Sequence, residues 1–159
     1  MRVCWQGIVF SCFSNDNGVK QGGFLSTFLF RFYIRDLIRK INISTVGCSM
    51  FNKCFNLLAY AVDLVLLAPS WCSLQFLINL LVAEADAVGL SVNAKKTVTV
   101  IFNPYDKRKC IRTNVPQFSL HSSYLTSVTS FKYLGHIMHC TMKMTLIENG
   151  NVFTQELTC

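Results

Sequence analysis

The sequence predicts an α+β domain with helices packed on one face of an antiparallel sheet. Three observations carry this. Residues 24–41 and 70–88 repeat apolar side chains at helical spacing, and short strand-like runs lie around them. Turn chemistry separates the runs, with Asn15-Asp16-Asn17-Gly18 before the first helix, Pro69-Ser70 before the second and Gly89 after it. The chain has 159 residues and is 52% hydrophobic, enough for one domain with its own core.

The elements follow in order. Residues 2–14 place Val3, Trp5, Ile8 and Phe10 among polar neighbours, which predicts a short hairpin. Gln21-Gly22-Gly23 forms a loop poor in side chains. Over 24–41, Leu25, Phe28, Leu29, Phe32, Leu37 and Ile41 share one helical face, while Arg31, Arg35 and Arg39 share another. Residues 44–52 read as a turn-rich connector, and 55–68 as an apolar hairpin bent at 60–63. Ser70 is the expected N-cap of the second helix, and Gly89 its stop. The buried stripe between them is Leu74, Leu77, Ile78, Leu81, Ala85 and Val88. Short strands are expected at 98–102, 118–120 and 131–137, with a basic loop at 103–112. Beyond Met138 the pattern dissolves, so 1–139 reads as the domain and 140–159 as an irregular tail.

Fifteen Lys and Arg against eight Asp and Glu give a net charge of +7, which favours an anionic partner. Nucleic acid, RNA or DNA, comes first and an acidic membrane surface second. The eight cysteines form no CxxC pair, which argues against zinc ribbons and fingers. His136, His139 and Cys140 offer too few ligands for a closed metal site. No secretory signal opens the chain, so a reducing, intracellular setting is expected, nuclear or cytoplasmic. A membrane span is not expected. Arg31 and Arg35 interrupt one apolar run, and Asp63 sits near the middle of the other, which is short.

Four patterns can carry chemistry. Asn17 to Ser26, NGVKQGGFLS, is a glycine loop entering a helix, where backbone can approach a sugar-phosphate closely. Tyr60-Ala61-Val62-Asp63 puts an acid at a hairpin bend. Asn93-Ala94-Lys95-Lys96-Thr97 puts lysines between a helix and a strand, where phosphate can be met. Phe131-Lys132-Tyr133-Leu134-Gly135 is an aromatic, basic strand ending on glycine. Taken singly, each also reads as an ordinary turn or edge hairpin.

Taken in order, the four resemble the reverse transcriptases of non-LTR (LINE-like) retrotransposons. NGVKQGGFLS is similar to the palm motif written NGVRQGGxLSP. LLAYAVDLVLLAPS is similar to the catalytic YADD hairpin. VGLSVNAKKT matches the following palm motif with its NxxKT ending, and FKYLGH the primer grip. The resemblance runs from about Arg2 to His139. It implies a partial polymerase palm, with Gln21 and Gly22 near template and incoming nucleotide. Lys96 would approach the triphosphate as a proton donor, Phe131, Lys132, Tyr133, Leu134 and Gly135 would hold the primer, and Asp63 would be the second hairpin acid. The cofactor implied is Mg²⁺.

The departures bear on activity. Two-metal nucleotidyl transfer needs paired carboxylates. The first acid of the hairpin pair is here Val62, which cannot ligate a metal, and Asp63 is insufficient alone. The family draws another acid from a strand ahead of the glycine loop. Only sixteen residues precede Asn17, so that strand is expected to be missing. Thr27 replaces the usual proline, and Arg35 stands where an acid or neutral residue is common. The expectation is a retroelement reverse-transcriptase fragment without productive Mg²⁺ binding. The alternatives are a non-catalytic nucleic-acid-binding module, using Lys95, Lys96 and Lys107-Arg108-Lys109, or a remnant without function. An unpaired edge of the apolar hairpin would favour oligomers or aggregation.

Overall fold

The computed structural model describes residues 2–12, 23–102, 115–141, 143–148 and 151–156. The turn at 15–18, Gln21, Gly22 and the basic loop with Lys107-Arg108-Lys109 lie outside the described residues.

The hairpin expected near the start is present, with β1 (Cys4–Trp5) antiparallel to β2 (Ile8–Val9). Gln6 and Gly7 link them with φ of 48° and 80°, the backbone that two-residue hairpin loops require. The helix expected over 24–41 is two helices, α1 (Phe24–Tyr33) and α2 (Arg35–Ile43). No glycine or proline marks the join. Ile34 there is 5% exposed, and the ladder continues through it, from its N–H to Phe30 O and from Ile38 N–H to its own carbonyl. The bend separates two environments. Leu37 and Ile41 are buried, whereas Leu25, Phe28, Leu29 and Phe32 are exposed, so only the second half of the expected apolar face reaches this core.

Residues 44–52 are more ordered than a connector. Phe51 and Asn52, at φ of 50° and 59°, join β3 (Cys48–Met50) to β4 (Lys53–Phe55). The apolar hairpin follows as β5 (Leu57–Tyr60) and β6 (Asp63–Leu66). The second helix, α3 (Trp71–Ala87), starts and stops as its sequence dictates. Ser70 Oγ accepts the Ser73 N–H at 3.2 Å. At the far end Gly89 takes φ of 70°, Leu90 N–H reaches Ala85 O at 2.9 Å, and Gly89 N–H reaches Asp86 O at 3.0 Å. Those paired bonds are a Schellman stop, which needs glycine's left-handed backbone.

Helix α3 carries a core on each side. Leu77, Leu81 and Ala85 pack with Leu37 and Ile41 of α2, and Leu57, Leu64 and Leu66 of the hairpin close over them. Ile78 packs instead with Phe118, Leu120 and Leu125. Leu66 and Val92 touch both clusters. The second side is pinned by Gln75, whose Nε2 donates to Ser119 O at 2.9 Å and whose Oε1 accepts Ser119 N–H at 3.0 Å.

The remaining strands are β7 (Val98–Thr99), β8 (Ser119–Leu120), β9 (Ser123–Tyr124), β10 (Thr126–Ser127), β11 (Ser130–Tyr133), β12 (His136–His139), β13 (Lys143–Glu148) and β14 (Asn151–Glu156). Instead of one antiparallel sheet, the described strands form a four-stranded sheet, β11-β12-β13-β14, and separate pairs. One pair, β7 with β10, is parallel. The strand expected over 131–137 is a hairpin, turned by Leu134 and Gly135 at φ of 49° and 86°. The stretch 140–159, expected to be irregular, contributes β13 and β14, which pair antiparallel in turn onto β12.

A buried polar residue joins α2 to the apolar hairpin. Asn56 is 2% exposed, and its Nδ2 donates to Ile41 O at 2.8 Å, with Ser44 Oγ 3.3 Å away. Gly47 lies against it: a Cβ there would sit 2.7 Å from Asn56 Cβ and 2.8 Å from Phe55 O. Neither atom is the end of a flexible chain. Gly47→Ala should therefore destabilise the fold by about 1–3 kcal/mol through overpacking. Urea unfolding would read this as a lower midpoint, and an unchanged midpoint would mean that this corner yields freely.

Candidate functional site

The hairpin's two faces differ. Register pairs Leu57 with Leu66, Leu58 with Val65, Ala59 with Leu64 and Tyr60 with Asp63. Side chains alternate along a strand. Leu57, Leu64 and Leu66 turn to the helices, so Tyr60 and Asp63 share the opposite, open face. Asp63 is exposed and makes no side-chain hydrogen bond or ion pair with other described residues. Ala61 and Val62 form the bend, with Ala61 at φ of 49°. Val62 is 71% exposed, so the bend presents an apolar side chain to solvent beside one carboxylate.

The lysine pair stands on a turn organised by Asn93. Its Oδ1 accepts the Lys95 N–H at 3.1 Å and the Lys96 N–H at 3.2 Å. Its carbonyl accepts the Thr97 hydroxyl at 2.8 Å. Such Asx geometry fixes the backbone while leaving both lysine side chains exposed. The turn leads into β7, and the parallel partner β10 leads into β11.

In the β11–β12 hairpin Phe131 and Tyr133 are half-buried, while Lys132, Leu134 and Gly135 are exposed. Leu134 is held left-handed at φ of 49°, a conformation that costs a branched side chain roughly 1–2 kcal/mol. Strain of this kind concentrates where a turn's shape matters. The hairpin of Asp63 and the turn of Lys96 hang from a shared core, because Leu66 and Val92 each touch both clusters on α3. Sequence reasoning missed three organising residues. Asn56 was signalled only as a lone polar side chain in an apolar run, Gln75 only as an amide on a core helix, and Gly47 not at all.

Comparison with known proteins decides the family. A family described as reverse transcriptase (RNA-dependent DNA polymerase) matches residues 6–138. This chain belongs to the reverse transcriptase family. It is 36% identical over 121 residues to the retrovirus-related Pol polyprotein from type-2 retrotransposable element R2DM of Drosophila melanogaster. It is 31% identical over 123 residues to the corresponding polyprotein from type-1 retrotransposable element R2 of Popillia japonica. The matches cover 74% and 75% of this chain but only 11% and 20% of those proteins. The affinity to non-LTR retrotransposon reverse transcriptases, expected from four motifs, is confirmed.

Reverse transcriptases generally work with Mg²⁺, a hard cation held by carboxylate and phosphate oxygens. The described residues do not fit a two-metal centre. Asp63 is the hairpin's single carboxylate, and no three His, Cys, Asp or Glu side chains converge among the described residues. Val62→Asp would put two carboxylates at one bend. A Mn²⁺ titration followed by NMR line broadening should then broaden residues 60–65 at lower metal concentration than in the native chain. Equal broadening in both proteins would show that Val62 is not what limits metal binding at this bend.

Proposed function

We propose that this reverse transcriptase chain is a palm-type module that retains nucleic-acid contacts and does not itself catalyse nucleotidyl transfer. The observation that carries the reading is the bend of β5–β6. Its open face offers Asp63, with Val62 beside it where template-directed DNA synthesis in this family requires another acid. Helices α2 and α3 against the other face agree with a palm. The binding half of the reading rests on the net charge of +7 and on the exposed Lys95, Lys96 and Lys132. In this reading Lys96 meets phosphate, residues 131–135 lie along a primer strand, and Gln21 and Gly22 approach the template side.

Two measurements test it. With primer-template, Mg²⁺ and deoxynucleotides, the chain should extend no primer; extension that Asp63→Ala abolishes would refute the inactive assignment. Binding to a single-stranded oligonucleotide should weaken as salt rises. The double variant Lys95→Ala, Lys96→Ala should flatten the log–log salt slope by about 1.4, from about 0.7 per lost phosphate contact. A slope identical to the native one would remove this turn from the interface.

A second partner reading comes from the sheet. The β5–β6 hairpin pairs with no third strand among the described residues, and open edges recruit other strands. We infer self-association through that edge. Sedimentation should show oligomers that grow with concentration, and a monomer at all concentrations would contradict it.

A further inference from the structure

A groove of about 360 Å³ opens between β7–β10 and the β8–β9 hairpin, with no residue of the β5–β6 hairpin in its lining. Its inner wall is apolar, with Phe118 and Leu125 only 3% and 5% exposed. Its rim is polar, carrying Gln117, Thr126 and Ser127, all exposed. These three side chains make no hydrogen bond with other described residues, and of the neighbours Thr126 and Ser127 strand alternation turns one toward each face. Tyr124, 69% exposed, lines the groove too.

The mouth is rigid. Tyr124 pairs with Ser119, which Gln75 grips through both backbone groups, and Leu125 N–H donates to Phe118 O at 2.8 Å. Lysines also precede the strand that forms the groove's other wall. In the parallel pair Thr126 is level with Val98, so Tyr124 and Lys96 each stand two residues ahead of the first paired position, at the same end.

An aromatic platform, an apolar floor, a rim of amide and hydroxyl groups and lysines at the entry to the adjoining strand together suit one ligand class. We propose that this groove is a base-binding subsite for a single-stranded nucleic acid. An unpaired nucleobase stacks on Tyr124, its edge hydrogen-bonds to Gln117 and Ser127, and the adjoining phosphate lies at Lys95 and Lys96. The inference rests on the nucleic-acid reading above and adds to it a place and a contact type. Stacking is tolerant of base identity, so the subsite binds without marked sequence preference.

The test is fluorescence anisotropy with the full chain and a labelled single-stranded oligonucleotide, intact or with abasic sites. Tyr124→Ala and Tyr124→Leu should each weaken binding of the intact strand about five- to a hundred-fold, the range that stacking of one base supplies. Tyr124→Phe should bind within about two-fold of native. Against the abasic strand, native and Tyr124→Ala should bind alike, and the salt slope should be unchanged by either substitution. Circular dichroism confirms folding, and the leucine variant keeps the apolar contact if alanine perturbs the hairpin. Native-like binding by Tyr124→Leu, together with loss in the Lys95→Ala, Lys96→Ala variant, would overturn the subsite while leaving the nucleic-acid reading intact. Absence of native binding at low salt would overturn both.

Discussion

The contact between Asn56 and the end of α2 is the constraint on which the remaining architecture depends. A helix leaves its last carbonyls without partners, and a polar residue at the start of an apolar strand needs a partner once buried. Here each need answers the other: Asn56 Nδ2 donates to Ile41 O, and Ser44 N–H donates to the same oxygen at 3.1 Å. Asn56 also accepts Leu67 N–H through its carbonyl at 2.9 Å, which ties the exit of β6 to the entry of β5. One residue thus fixes where α2 stops, where the hairpin begins and where it closes. The alternation of a strand does the rest. With Leu57 turned to the core, Asp63 can only face outward, away from the helices.

Helix α3 distributes that geometry. Its two sides serve two clusters, and the residues that touch both are Leu66, at the end of β6, and Val92, just ahead of the Asn93 turn. The carboxylate and the lysine pair are therefore placed by the same helix, although they lie more than thirty residues apart in the chain. Two further contacts brace it. The Tyr33 hydroxyl donates to the Val88 carbonyl at its C-terminus, and Lys40 pairs with Glu84 at 2.5 Å. The ion pair contributes little, since Lys40 is mostly in solvent.

Much of this was legible in the sequence where local rules decide alone. Ser70 and Gly89 bracket α3 because caps are chemistry of single residues, and Leu77, Ile78, Leu81 and Ala85 are buried as their helical spacing predicts, although Ile78 serves a second cluster. The motifs on the glycine loop, the β5–β6 hairpin, the Asn93 turn and β11 led to the family. What stayed illegible depends on tertiary partners. Periodicity could not tell that Leu37 and Ile41 meet α3 while Phe28 and Phe32 remain exposed, because both halves carry the same pattern. The bend at Ile34 has no breaker residue to announce it. The parallel pairing of β7 with β10 joins segments whose two-residue strands are too short to show alternation. The Gln75 clamp on Ser119 involves an ordinary amide that only the fold makes special.

The account places the hairpin's orientation, and with it the exposure of Asp63 beside Val62, under the control of Asn56. Native-state hydrogen exchange on Asn56→Ala tests this most directly. Removing the side chain takes one donor from Ile41 O, which keeps the Ser44 N–H and hydroxyl, a loss of about 0.5–1.5 kcal/mol. If the lock is local to the hairpin, amides of β5 and β6 should lose protection by at least tenfold while those of α3 from Leu77 to Ala85 keep most of theirs. Unchanged protection in β5 and β6, or equal loss along α3, would contradict the claim that this one contact sets the hairpin.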